Sequence, residues 1–142
     1  MANVIDTSTD GGAHIAQRLS DELIAWLTTV SPKGAPITIP IWFLWDGGDS
    51  LLIYSQPNVA KLRNIAANPR VCVHLNDEGA GQDIVIMIGT AALSDDPPAD
   101  QLDVYIQKYR SLIDGYDWTP ESFAADYSVP FRVTVQRLRG DS

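Results

Sequence analysis

The sequence predicts a mainly β (α+β) domain, a small barrel of about six antiparallel strands with helices packed outside it. Three observations carry this expectation. Short apolar runs rich in β-branched and aromatic residues recur along the 142 residues, most of them joined by tight-turn sequences. Helical patterns are short and inserted between those runs. Apolar content of 45% and charged content of 20% are ordinary for a globular chain of a length that buries a core without disulfides.

Met1 to Gly12 is polar and ends in glycine, and is expected to be a loose N-terminal arm ahead of one domain spanning 13–142. Ile15, Ala16 and Leu19 then recur at helical spacing, predicting a short helix from Ala13 to about Asp21. Leu23 to Val30 either continues that helix or forms a strand; its β-branched end and the turn Ser31-Pro-Lys-Gly34 favour a strand. Pro36 to Trp45 is the most apolar segment. Ile39, Ile41, Phe43 and Trp45 would take one face, and Pro40, Trp42 and Leu44 the other. With both faces apolar, one should meet the core and the other a helix, a partner subunit or a flat ligand. Pro40 cannot donate to a ladder, which marks an edge or a bulge. Asp46-Gly47-Gly48-Asp49 reads as a hairpin turn, with Leu51 to Ser55 as the return strand.

Strands are also expected from Arg70 to Asn76, Ile84 to Ala92 and Val129 to Leu138. In the last of these Phe131, Val133 and Val135 would point inward. Gly89 inside its strand suggests a bulge or a close backbone approach. After Asp95-Asp-Pro-Pro98 a helix would present Leu102, Tyr105 or Ile106, Tyr109 and Leu112 as one stripe. Thr119-Pro120-Glu121 is a cap followed by proline, opening a helix to about Asp126.

The stretch with the most chemical content is Tyr54 to Pro69, read as a strand end, a turn and one helix. Asn58 is placed as its N-cap, and Asn68 before Pro69 as its stop. Its charge is unusual. Although the chain carries a formal net charge of −8, no Asp or Glu occurs from Leu51 to Asn76, whereas Lys61, Arg63 and Arg70 do. Cations in a first helical turn oppose the helix dipole by roughly 0.3–1 kcal/mol each. Free backbone N–H groups, Ser55 and Lys61 at one helix start are what a phosphate needs. The alternative is that Lys61 and Arg63 are solvated residues whose stems extend the apolar face.

Other chemistries have little support. The acidic charge argues against sequence-independent nucleic-acid binding. A single cysteine, Cys72, permits no internal disulfide, and with no signal-peptide pattern or membrane-length apolar run a cytoplasmic location is expected. His14 and His74 have no second metal ligand at a recognisable spacing, so no metal site is expected. There is no nucleophile elbow, Walker loop or dinucleotide fingerprint, and no residue stands out as catalytic. A redox protein whose cofactor performs the chemistry needs only binding, orientation and exclusion of water. Trp42 beside Ser55 and Lys61 would suit a flat ring and its phosphate; taken alone, Trp42 and Trp45 read as core or interface residues in preference to cofactor contacts.

Four segments together resemble a known family: Lys33-Gly-Ala-Pro-Ile-Thr-Ile-Pro-Ile-Trp-Phe43, Leu52-Ile-Tyr-Ser55, Lys61-Leu-Arg-Asn64 and Asn68-Pro-Arg-Val71. With the ending Tyr127-Ser-Val-Pro-Phe-Arg-Val133, they resemble the pyridoxamine-5′-phosphate-oxidase-like, FMN-binding type of split β-barrel. Within it they are most similar to the small actinobacterial branch that uses the deazaflavin coenzyme F420. The resemblance implies a homodimer with cofactor sites at the subunit interface; neither nucleic acid nor a membrane is expected as a partner, on the charge and hydropathy grounds above. It implies a phosphate held by Ser55 and Lys61, with Arg63 and Asn64 as neighbours, and Pro40, Ile41 and Trp42 along the ring system.

FMN-using members usually carry a basic residue on the second strand, where this chain has Thr38, Ile39 and Pro40. F420 is therefore the expected cofactor and FMN the alternative. No vitamin B6 oxidase terminal motif is recognised around Arg132, Arg137 and Arg139. The implied activity is an F420-dependent oxidoreductase acting on a small unsaturated or oxidised molecule, with a non-catalytic deazaflavin carrier as the rival. The substrate-site wall is expected from the loops Asp77 to Gln82 and Asp114 to Thr119, with Tyr116 and Trp118 as lids or as packing residues.

Overall fold

The computed structural model describes residues 4–141, with side-chain surroundings for 4–139. Seven strands form one sheet: β1 (Ala25–Val30), β2 (Pro36–Ile41), β3 (Leu44–Trp45), β4 (Ser50–Ser55), β5 (Arg70–Leu75), β6 (Ile84–Leu93) and β7 (Val129–Asp141). Their order is β2-β1-β5-β6-β7-β4-β3, with antiparallel pairings. The helices are α1 (Asp10–Asp21), α2 (Ala60–Ala67), α3 (Asp103–Gly115) and α4 (Pro120–Asp126), with a 3-10 turn at Ala99–Gln101.

The order of the strands shows why the sheet must curl. β2 and β3 lie on opposite edges of the sheet, yet only Trp42 and Phe43 separate them in the chain. Three Cα–Cα steps reach at most about 11 Å, so the two edges approach that closely. The result is a half-barrel with its split at Trp42–Phe43. The expected single strand from Pro36 to Trp45 is thus two strands on different edges. Pro40 sits on an edge strand, where its missing N–H costs no ladder bond.

Two apolar clusters stabilise this arrangement. The inner one joins Leu27, Leu51, Ile53, Val73, Met87, Phe131 and Val133 from the strands and Phe43 from the β2–β3 link to Ile15 and Leu19 of α1 and Ile65 of α2. The outer one packs Leu52 and Tyr54 of β4 under Tyr105, Tyr109 and Ile113 of α3 and Phe123 of α4. β4 is consequently buried along its whole length. The two faces expected for Pro36 to Trp45 separate as predicted near the split: Phe43 is in the inner cluster, and Trp42 and Leu44 pack on the outer one. Here α3 and α4 supply the second cover. Farther back along β2, Ile37 remains 41% exposed.

Several expectations are refined. α1 begins at Asp10, capped by Thr9, whose Oγ1 accepts from Gly12 N at 3.0 Å. Ile5 is 2% exposed in the inner cluster, so the described part of the expected arm is folded onto the barrel. Residues 1–3 lie outside the described residues. Leu23 to Val30 is a strand from Ala25 onward. Asn58 is not the cap of α2: it adopts φ 61, a left-handed turn conformation that asparagine tolerates, and Val59 caps without a side-chain bond. On α3 the buried stripe ends in Ile113, with Leu112 at its margin. Thr119 and Ser122 form a capping box at α4. Gly89 marks a register shift against β7; a Cβ there would lie 2.0 Å from Thr134 O.

Candidate functional site

At the split, neither neighbouring strand supplies hydrogen bonds to Phe43, which is fully buried. α3 supplies them instead. Phe43 N donates to the Tyr109 hydroxyl at 2.7 Å, and Lys108 Nζ donates to Phe43 O at 2.8 Å. The Tyr109 hydroxyl proton faces Leu23 O at 2.8 Å and Phe43 O at 2.9 Å. With Lys108 on Phe43 O, Leu23 O is the natural acceptor. The Lys108 ammonium also lies 3.8 Å from the Phe43 ring centroid, and burial lowers its pKa to about 8.

Fixing Phe43 inward turns Trp42 outward, between the Tyr109 ring at 4.6 Å and the Phe123 ring at 5.2 Å, both nearly parallel to it. Beside Trp42 opens a cleft of about 200 Å³. β2 contributes Pro40 and Ile41, the end of β4 Tyr54, and α3 Tyr105. The α3–α4 loop and α4 contribute Tyr116, Trp118, Phe123 and Tyr127. The volume is below the roughly 300–1,000 Å³ typical of drug-sized ligands, so the cleft of one chain is too small to enclose a whole nucleotide-like cofactor.

Lys61 of α2 is the one charged side chain lining this cleft among the described residues. It is half-buried, desolvation lowers its pKa, and no described carboxylate forms an ion pair with it. Its helix start has no side-chain cap. A partly desolvated ammonium beside uncapped backbone N–H groups is stabilised by an incoming anion.

Of the residues expected at a cofactor site, Pro40, Ile41, Trp42 and Lys61 meet at this cleft. Ser55 is fully buried and donates to Gln56 O at 2.8 Å. Arg63 is exposed, with Nη1 donating to Asn58 O at 2.9 Å. Asn64 is buried and donates to Thr29 Oγ1 at 3.0 Å. None of these three lines the cleft. Tyr116 and Trp118 stack on each other at 4.7 Å and border the cleft, and Trp118 also packs on the outer cluster. The Asp77–Gln82 loop does not border it; the Asp77 and Glu78 carboxylates accept from backbone N–H groups of their own turn.

The sequence reading missed Tyr54, Tyr105, Phe123 and Tyr127 as cleft residues. Their helical and strand spacing signals burial but not which cavity they face. Elsewhere, His14 Nε2 lies 2.9 Å from the Asp83 carboxylate, and His74 stacks on Trp26. Burial pushes the Cys72 thiol pKa up. Arg132 is engaged by Asp96 at 2.7 Å and Ser50 at 2.9 Å.

Residues 12–140 match the sequence model of the pyridoxamine 5′-phosphate oxidase family. The chain belongs to that family. Solved structures similar to this pyridoxamine 5′-phosphate oxidase-family protein include an F420 reductase, 28% identical over 87% of this chain and 94% of the other, with a TM-score of 0.63. Another is a Listeria innocua protein provisionally assigned as a pyridoxamine 5′-phosphate oxidase: 21% identity, 90% and 95% coverage, TM-score 0.68. A third is a FAD-binding protein from Mesorhizobium loti: 21% identity, 90% and 91% coverage, TM-score 0.65. The last two establish the fold alone. No curated protein sequence matches the chain. Among the described residues no helix is long and apolar enough to cross a membrane.

Proposed function

We propose that this family member is an F420-dependent oxidoreductase acting on a small unsaturated or oxidised molecule. The observation that carries the reading is Lys61: a half-buried cation with no carboxylate partner among the described residues, lining a cleft whose other side chains are apolar or aromatic. Such a cofactor supplies hydride transfer when bound. The chain's own contribution is binding and exclusion of water. Lys61 would hold the phosphate, and Pro40, Ile41 and Trp42 would lie along the ring. Ser55 would join Lys61 only by giving up its bond to Gln56 O. A second copy of the chain would close the open side of the cleft and cover the exposed part of β2.

The test is titration of the apo-protein with oxidised F420 and with FMN. Preferential saturable binding of F420 is expected, and Lys61→Ala should weaken it roughly ten- to a hundredfold, the range for a charge-assisted hydrogen bond. Preference for FMN would overturn the cofactor choice, and unchanged affinity in the variant would remove the role of Lys61. Tight F420 binding without turnover on any oxidised substrate would favour the carrier reading.

A further inference from the structure

A second cavity, of about 380 Å³, opens between the end of α1, β3 and the start of α3, and it shares no lining residue with the Trp42 cleft. Leu19, Leu44, Trp45 and Val104 give it apolar walls, and Lys108 is its one charged side chain. Val104, in the first turn of α3, is 58% exposed and stands one helical turn before Lys108. An ammonium has three N–H donors. Phe43 O accepts one at 2.8 Å and Leu19 O another at the long distance of 3.5 Å, which leaves one without an acceptor among the described residues. Asp21 and Glu22 lie within electrostatic reach, but both are engaged on their own helix, Asp21 by Gln17 and Glu22 by Arg18. Neither forms an ion pair with Lys108. Two carbonyls need only neutral donors, whereas a cation here carries a desolvation penalty, seen in its pKa of about 8. Holding the split together therefore does not by itself explain a charge at this position.

We propose that this second cavity binds a small monocarboxylate with an apolar body, its carboxylate on Lys108 and its body against Leu44, Trp45 and Val104. Charge complementarity selects the anion, because no carboxylate lines the cavity to oppose it. The chain as a whole carries a net charge of −8, so attraction of an anion to this place must come from the local cation and not from the overall field. A single lysine suits a monoanion better than a phosphate dianion, and four apolar side chains suit a hydrocarbon body better than a sugar. The volume falls within the roughly 300–1,000 Å³ of small-molecule sites. A bound carboxylate would offset the desolvation of the ammonium and satisfy its remaining N–H. The inference does not depend on the cofactor reading, since the two cavities are separate.

The test is calorimetric titration of the protein at pH 7 with cinnamate and with its neutral isostere cinnamamide. Wild type should bind cinnamate about tenfold or more tightly than the amide, the size of a hydrogen bond to a charged group. Lys108→Met should remove that preference. Val104→Glu tests the same site without touching a buried side chain: its carboxylate would stand four residues before Lys108 on one helix face and occupy the ammonium itself. An acid in the first turn also suits the helix dipole, so this variant should fold as wild type does and lose the preference for cinnamate. Equal affinity of wild type for the two probes, or no saturable binding of cinnamate, would overturn the proposal. So would a preference that survives Val104→Glu, which would put the anion elsewhere, at Lys61 included. Neither probe is a cofactor, so failure of F420 to bind would sink the cofactor reading and leave this one standing.

Discussion

Removing one oxygen at the barrel split tests how the site is held. Tyr109→Phe keeps the ring that stacks on Trp42 at 4.6 Å and deletes only the hydroxyl that accepts from Phe43 N. Phe43 is wholly buried, so its N–H would be left unpaired at a cost of about 1–3 kcal/mol. Leu23 O would lose its side-chain donor as well, while Lys108 would still hold Phe43 O. The expected loss is about 2–3 kcal/mol. For a chain of this size that lowers the melting temperature by roughly 5–10 °C. Urea unfolding followed by tryptophan fluorescence measures the change directly, because Trp42 is next in the chain. A loss below about 0.5 kcal/mol would refute the claim that α3, through this hydroxyl, supplies the hydrogen bond that β2 and β3 cannot.

Two further predictions concern the frame around the site. Gly89→Ala would place a Cβ 2.0 Å from the Thr134 carbonyl oxygen, and backbone must move to relieve it; urea unfolding should show a loss of at least about 2 kcal/mol, with near-wild-type stability contradicting the close approach. Lys108 has a folded-state pKa of about 8 against an ordinary 10.5, so the unfolded chain binds more protons between those values and stability attributable to Lys108 rises with pH across that window. Unfolding of wild type and Lys108→Met measured at pH 7, 9 and 10.5 should show the difference shifting toward wild type as pH rises; a constant difference would mean that the ammonium is not desolvated.

The local elements were legible because their signals are local. Thr119-Pro120 opens α4, Gly89 marks a close approach, and the alternation of Phe131, Val133 and Val135 identifies the inner face of β7. The cation-rich, acid-free start of α2 was visible as charge pattern, and so was Lys61 as its distinctive residue. Asn58 was misplaced because asparagine suits both a helix cap and a left-handed turn, and the local sequence does not choose between them. The loop Asp77 to Gln82 satisfies its own backbone, which no periodicity discloses.

By itself, then, the sequence determined which segments would be strands and helices, which faces would be apolar, and that a cation would stand at one helix start. Closure of the sheet was decided only in three dimensions. Splitting Pro36 to Trp45 between two edges depends on β2 pairing with β1 and β3 pairing with β4. The aromatic cleft depends on residues as distant as Trp42, Tyr105 and Tyr127 meeting beside it. Contacts of that range carry no spacing signal, because they are set by where the chain is forced to cross rather than by the residues beside it.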